Sequence, residues 1–151
     1  MQIARHLGAY VIGTSSAANR DFVLGLGAHE HIDYGAQRFE NVVKDADVVV
    51  DSIPDLQHLE RSLQVVKSRG RLISLVAFPD ERLSRIALMS RKFLYRMEVG
   101  SDGDDMESIA GLLEYRRIRS HVSQTFPFDQ IPLAHRQLES GHTRGKVVIT
   151  L

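Results

Sequence analysis

Short apolar, β-branched runs alternate along this chain with helix-spaced apolar stripes that end at glycine. This alternation restricts the fold more than any other feature. The run Ala46-Asp47-Val48-Val49-Val50-Asp51-Ser52 is too short for a stable helix and suits a strand buried on both faces. A strand, a helix and a further strand in succession are most simply joined as a crossover, which makes the strands parallel. Repeated along a chain, that unit predicts an α/β fold with a doubly wound, Rossmann-like parallel sheet.

Residues 7–34 form the first such unit. Tyr10, Val11 and Ile12 make a strand that Gly13 closes. Thr14, Ser15 and Ser16 turn the chain and can cap a helix. Phe22, Val23 and Leu26 recur at helical spacing, Gly25 and Gly27 sit where that helix stops, and residues 29–33 form a second strand. Ahead of this unit, Met1, Ile3, Ala4 and Leu7 mark a short helix ended by Gly8, which needs a packing partner to be stable.

The remaining expectations follow the same rules. A short helix lies within residues 35–45, and a strand spans 46–52. A helix over 54–69 carries Leu56, Leu59, Leu63 and Val66 and stops at Gly70. Then come a strand at 71–76, a loop and helix at 79–90, a strand at 93–99, and a helix at 102–115 with an acidic start and a basic end. A weaker strand at 121–126, a helix from Asp129 to Ser140 and a strand at 146–151 close the chain. Ligands of such sheets bind beyond the C-terminal ends of the strands, so the residues that follow each strand are the ones to inspect.

With 151 residues the chain is of single-domain size, and it carries 19 basic and 19 acidic side chains. A net charge of zero gives no support to a nucleic-acid role. No run approaches the length of a membrane span and no signal peptide stands at the start, so the expected location is cytoplasmic. Cysteine is absent, which excludes disulfides, thiolate metal sites and a cysteine nucleophile.

Three segments carry a resemblance: VIGTSSAANRDFVLGLGAHEHIDY, DVVVDSIPDLQHLERSLQVVKSRGRLISL, and FPFDQIPLAHRQLESGHTRGKVVI. Together they resemble the C-terminal part of a medium-chain dehydrogenase/reductase, nearest to the zinc-independent quinone oxidoreductase group. The resemblance implies a catalytic domain, a first strand and a glycine-rich turn upstream of Met1, and no G-x-G-x-x-G occurs in this sequence. It also implies that residues 1–120 are a dinucleotide-binding domain lacking that strand, and that residues 121–151 return to the catalytic domain. Without a central strand, the strands at 9–13 and 46–52 pair directly, or a partner fills the gap, or the fold is marginal. The chain alone is expected to be inactive.

The candidate cofactor residues are those that follow the strands. An NAD-selective site places an acidic residue at the end of the second strand, to accept from the adenosine ribose. Here Gly13, Thr14, Ser15 and Ser16 stand in that place, with no acidic residue before Asp21. Hydroxyls donate to a 2′-phosphate without repelling it, so the expected cofactor is NADP(H), with Asn19 or Arg20 in support. Helix capping by Ser15 or Ser16 is the plainer alternative and is compatible with phosphate binding. Tyr34 ends the next strand, beside the adenosine end or as edge packing. Ile53 lies in a turn that the resemblance sets against the ribose and that also reads as a plain helix start. Val76, Ala77, Phe78, Glu98 and Val99 are implied near the nicotinamide half, although Glu98 stands where relatives tend to be apolar.

No nucleophile, base and orienting group stand together, and none is needed for hydride transfer, whose chemistry the cofactor carries. The substrate, a small quinone or enone, would lie between this portion and the upstream domain. His29, His31 and Asp33 share a strand face, but a solvated edge accounts for them better than a metal does. A homodimer is expected through edge pairing of the strand at 93–99. The competing expectation is a non-catalytic dimerising or structural domain.

Overall fold

The structure, a computed structural model, describes residues 1–141 and 143–151. The chain forms two compact units: Met1 with residues 10–101, and residues 2–9 with residues 102–151. Helix α1 (Gln2–His6) belongs to the second unit. In the first, β1 (Ile12–Ser15) lies parallel to β2 (Glu30–Asp33), with α2 (Arg20–Gly25) as their crossover. A one-turn helix, α3 (Phe39–Val42), leads into a three-stranded parallel sheet of β3 (Ala46–Asp51), β4 (Val66–Ser74) and β5 (Phe93–Arg96), in that spatial order. Its crossovers are α4 (Leu56–Val65) and α5 (Glu81–Met89).

The core of this unit forms where those crossovers meet the sheet. Leu59 and Leu63 on α4, and Leu83 and Ala87 on α5, repeat at the four-residue spacing that keeps one helix face inward. They close over Val66, Leu72 and Ala77, with Val49, Ile86 and Leu94 against the cluster. Asp55 caps α4 by accepting from the amides of Gln57 and His58 at 3.0 and 3.2 Å, and Asp80 caps α5 by accepting from Leu83 at 2.7 Å. The Lys92 ammonium donates to the carbonyl of Leu63 at 2.8 Å, satisfying the far end of α4. Arg82 on α5 grips the Glu60 carboxylate on α4 through two bonds of 2.9 and 2.6 Å.

The buried carboxylate of Asp51 joins β3 to α4. Its Oδ2 accepts from Ser62 Oγ at 2.7 Å and lies 2.9 Å from His58 Nδ1, while Oδ1 accepts from the Ile53 amide at 2.9 Å. Asp51 is 3% and Ser62 2% exposed, so these bonds replace lost hydration.

In the second unit α6 (Gly103–Glu114) is capped by Asp102, and β6 (Val122–Pro127) runs parallel to β7 (Lys146–Thr150) across α7 (Ile131–Glu139). The Gln2 side chain exchanges two 2.9 Å bonds with the backbone of Arg119. Gly145 has a φ of 89°, and a Cβ there would meet the His121 carbonyl, so only glycine fits before β7. His142, part of the terminal sequence motif, lies outside the described residues.

The α/β class and the parallel strands are as the sequence predicts, and several local expectations are corrected. The strands at 9–13 and 46–52 do not pair with each other, because β1 and β3 belong to separate sheets. Gly13 does not close β1, which continues through Thr14 and Ser15. Ser16 and Asn19 make no capping bond from their side chains. β3 is not buried on both faces, since Val48 and Val50 are exposed while Val49 and Asp51 turn toward α4 and the core. Val66 is not the last turn of α4 but the first residue of β4, paired with Ala46. Between Val66 and Arg71 the strand bulges, with Arg69 at a φ of 64°, and a Cβ on Gly70 would lie 2.7 Å from Val66 Cγ1. β5 ends at Arg96, three residues short of the expected end.

Two stability predictions follow from these contacts. Asp51→Ala leaves Ser62 and the Ile53 amide without their acceptor, and should destabilise the chain by about 2–4 kcal/mol, against about 1 kcal/mol for Ser62→Ala. Urea unfolding followed by circular dichroism measures both, and equal effects would show that Asp51 has no joining role. Arg82 holds the Glu60 carboxyl below its usual range by hydrogen bonding. A depressed folded-state pKa stabilises the fold above the ordinary glutamate range, and that contribution fades as pH falls through the depressed value. Glu60→Gln should therefore lower Tm at neutral pH, by a difference that shrinks as pH falls below the ordinary glutamate range, as thermal unfolding followed by circular dichroism would show.

Candidate functional site

All the residues singled out from sequence for cofactor contact lie in the first unit and, apart from Gly13 within β1, stand at or past the C-terminal ends of its strands. They form two ledges. The first is built by β1 and β2, whose last residues Ser15 and Asp33 are register partners. The second is built by β3, β4 and β5, whose last residues Asp51, Ser74 and Arg96 stand in one row. Parallel pairing produces this arrangement, since all strands of a parallel sheet end on the same side.

On the first ledge Gly13 has a packing role. It is buried, and a Cβ there would stand 2.6 Å from Val23 Cγ1, so glycine lets α2 lie close against β1. Thr14 is exposed, and Ser15 and Ser16 are half-buried. Ser15 Oγ donates to the Ser16 carbonyl at 3.1 Å and lies 2.8 Å from His31 Nε2. Asn19 starts α2 with its Oδ1 buried and without a partner among the described residues. Tyr34 is 67% exposed beside the end of β2.

The acidic groups of this ledge are engaged. Asp33 Oδ1 accepts from the Gly35 amide at 2.9 Å, and Asp21 pairs with Arg20 at 3.6 Å. Three hydroxyl-bearing residues and an imidazole, with the nearest carboxylate turned into its own turn, are a donor set that fits a phosphate monoester.

The second ledge is held from below. Asp51 fixes the turn through the Ile53 amide, and the Ile53 side chain is 43% exposed. Ser74 Oγ donates to the Ala77 carbonyl at 2.7 Å and folds the loop after β4 back onto the strand. Ala77 is part of the core and anchors this loop, whereas Val76 and Phe78 face outward at 44% and 69% exposure. The Arg96 guanidinium sits 4.0 Å over the Phe78 ring and 3.4 Å from Glu98, with Nε buried and unpaired among the described residues. Val99 is fully exposed.

Sequence reasoning missed Asp51, His58, Ser62 and Arg96 as members of this region. His58 and Ser62 stand four residues apart on α4, a readable signal that one face carries two polar groups. Nothing in the sequence pairs that face with the end of β3. His29 and His31 hold bonds that a metal would have to displace: His29 Nδ1 accepts from the Val11 amide at 3.0 Å and its ring stacks on Tyr10. Among the described residues no three metal-binding side chains converge. Nor, among those residues, is any helix long and apolar enough to cross a membrane.

Comparison with known proteins agrees with this architecture. A sequence model of the zinc-binding dehydrogenase family matches residues 26–149. The NADPH-dependent alkenal/one oxidoreductase of Arabidopsis thaliana chloroplasts is 28% identical over 153 residues, taking in 99% of this chain and 36% of that protein. The 2-haloacrylate reductase of a Burkholderia species is 30% identical over 165 residues, which are 97% of this chain and 49% of that one. The structure of the quinone oxidoreductase from Coxiella burnetii matches with a TM-score of 0.87 at 25% identity, across 99% of this chain and 47% of that one. The chain thus spans between about a third and a half of the length of these relatives. With its parallel sheets, the chain belongs to the zinc-binding dehydrogenase family, within the medium-chain dehydrogenase/reductase superfamily.

Proposed function

We propose that this chain is the NADP(H)-binding portion of an oxidoreductase that transfers hydride to a quinone or an α,β-unsaturated carbonyl compound. The observation that carries the reading is the first ledge, where hydroxyls stand at the end of β1 in the place of an NAD-selective carboxylate. Thr14 and Ser16 donate to the 2′-phosphate, and Tyr34 lies against the adenosine. The turn at Ile53, stiffened by Asp51, meets the ribose. The main chain at Val76, Ala77, Glu98 and Val99 faces the nicotinamide half, with Phe78 as apolar cover. When bound, the nicotinamide supplies the hydride. The residues of this chain bind and orient, and no proton donor is assigned to them. The relatives that are alkenal/one and haloacrylate reductases support an activated alkene as acceptor, whose pocket a further portion of the enzyme would complete.

Calorimetric titration with NADPH and NADH tests the reading, with tighter binding of NADPH expected. Ser16→Asp should weaken NADPH by about tenfold, or ~1.4 kcal/mol, and spare NADH. A clear preference of the unaltered chain for NADH would sink the proposal.

A second reading, a dimerising structural domain, is favoured by the free edge of β5. There Phe93 and Tyr95 are 52% and 40% exposed on the last strand of its sheet. It predicts a dimer in light scattering at micromolar concentration that Tyr95→Lys weakens, since a charge on an edge strand opposes edge-to-edge pairing. A monomer at that concentration argues against it.

A further inference from the structure

We propose that Ser15 and His31, at the C-terminal ends of β1 and β2, form a proton-dependent specificity element for a phosphorylated adenosine ribose, with His31 as its cation and Ser15 as its hydrogen-bond donor. The inference rests on the reading of the first ledge as an NADP(H) site and adds to it the group that senses the charge of the phosphate.

A phosphate monoester carries a charge of about −1.5 to −2 near neutral pH, and a site that selects it supplies a cation or several charge-assisted bonds. The obvious cations near this ledge are engaged. No lysine occurs before Lys44, and Lys44 donates to the Glu40 carbonyl at 2.8 Å. Arg20 pairs with Asp21, and Arg38 lies 3.8 Å from Glu40. Those two arginines are exposed and their pairs long, whereas the imidazole of His31 is built into the strand end itself, half-buried and 2.8 Å from Ser15 Oγ. Histidine is the side chain whose charge ordinarily changes between about pH 5 and 8.

The geometry couples that charge to the hydroxyl. Two neutral tautomers share this bond: with Nε2 protonated the ring donates to Ser15 Oγ and Ser15 donates to the Ser16 carbonyl, and with Nε2 unprotonated Ser15 donates to the ring. Once both ring nitrogens carry protons, Nε2–H donates to Ser15 Oγ instead. The Ser15 hydroxyl is then free to donate to a phosphate oxygen in place of the Ser16 carbonyl. One proton taken up by His31 therefore adds a positive charge beside a hydroxyl that the ring then holds as a donor.

The other charged and titratable groups around the pair are accounted for. His29, just ahead of β2, accepts from the Val11 amide; on β2, Glu30 accepts from the hydroxyl of Tyr10, two residues ahead of β1, and Asp33 is turned into the following turn. The Asp33 charge opposes the phosphate. Arg20 and Asp21 on α2 form an exposed pair at 3.6 Å, and the Tyr34 phenol stands exposed past the end of β2.

The test compares 2′,5′-ADP with 5′-AMP, which differ only in the 2′-phosphate, by calorimetry on the whole chain between about pH 8.5 and 6.5. The affinity ratio removes pH effects common to both nucleotides. Coupling between the imidazolium and the phosphate should raise the ratio severalfold as pH falls over that range. His31→Gln, which keeps a donor without titrating, should hold the ratio flat. Ser15→Ala should lower it at pH 6.5. Ring nitrogen NMR of the unaltered chain gives a second readout: 2′,5′-ADP, but not 5′-AMP, should move the His31 titration upward. A ratio above one that stays flat with pH would overturn the role of His31 and leave the NADP reading standing. So would an equally steep rise in His31→Gln. A ratio of one or less at every pH, or no binding of either nucleotide, would overturn both.

Discussion

The carboxylate of Asp51 is the contact on which the larger ledge depends. It ends β3, where the chain leaves the sheet, and it is almost wholly buried. A charge so placed is tolerable only if its oxygens are bonded, and the bonds it takes come from three places: the Ser62 hydroxyl and the His58 ring on α4, and the Ile53 amide in the turn. The crossover helix is thereby fixed to the strand that precedes it, and the turn is shaped by the same side chain. Leu59, one residue past His58, and Leu63, one past Ser62, carry the apolar half of that contact into the core. The polar network and the hydrophobic cluster are thus neighbouring stripes of one helix.

From this anchor the other strand ends follow by pairing. β4 is in register with β3 as far as Ser74 opposite Asp51, and β5 with β4 as far as Arg96 opposite Ser74. Each strand then hands its chain to a loop held by a local bond, Ser74 to Ala77 in one case and Arg96 to Phe78 and Glu98 in the other. A ligand across these ends meets main chain and apolar cover rather than reactive side chains. That suits a role in which the protein positions a cofactor and the cofactor does the chemistry. The first ledge differs in kind. It is short, rich in hydroxyls, and built where glycine at position 13 lets α2 press against β1.

Much of this was legible in the residues. The β-α-β rhythm, the capping aspartates and the glycine stops reflect local chemistry acting over a few residues, and they place most helices and strands within a turn. The errors have a common cause. Val66 extends the apolar stripe of α4, yet it enters β4 because its backbone pairs with Ala46, twenty residues earlier. Thr14 and Ser15 look like turn residues but are drawn into β1 by pairing with β2. Val48 and Val50 look like core residues but lie exposed, because burial depends on what covers a face and not on the residue that presents it.

The sequence by itself determined the α/β class, the parallel sense of the strands, the family, and the hydroxyl-rich end of β1, since each is written in residue type and short-range spacing. Only the tertiary structure decided that β1 and β3 stand in separate sheets, that Asp51 reaches across to Ser62 and His58, and that His31 meets Ser15. Those partners lie 11, 7 and 16 residues apart. Contacts between consecutive elements depend on strand register and helix rotation, which packing sets for the whole unit at once.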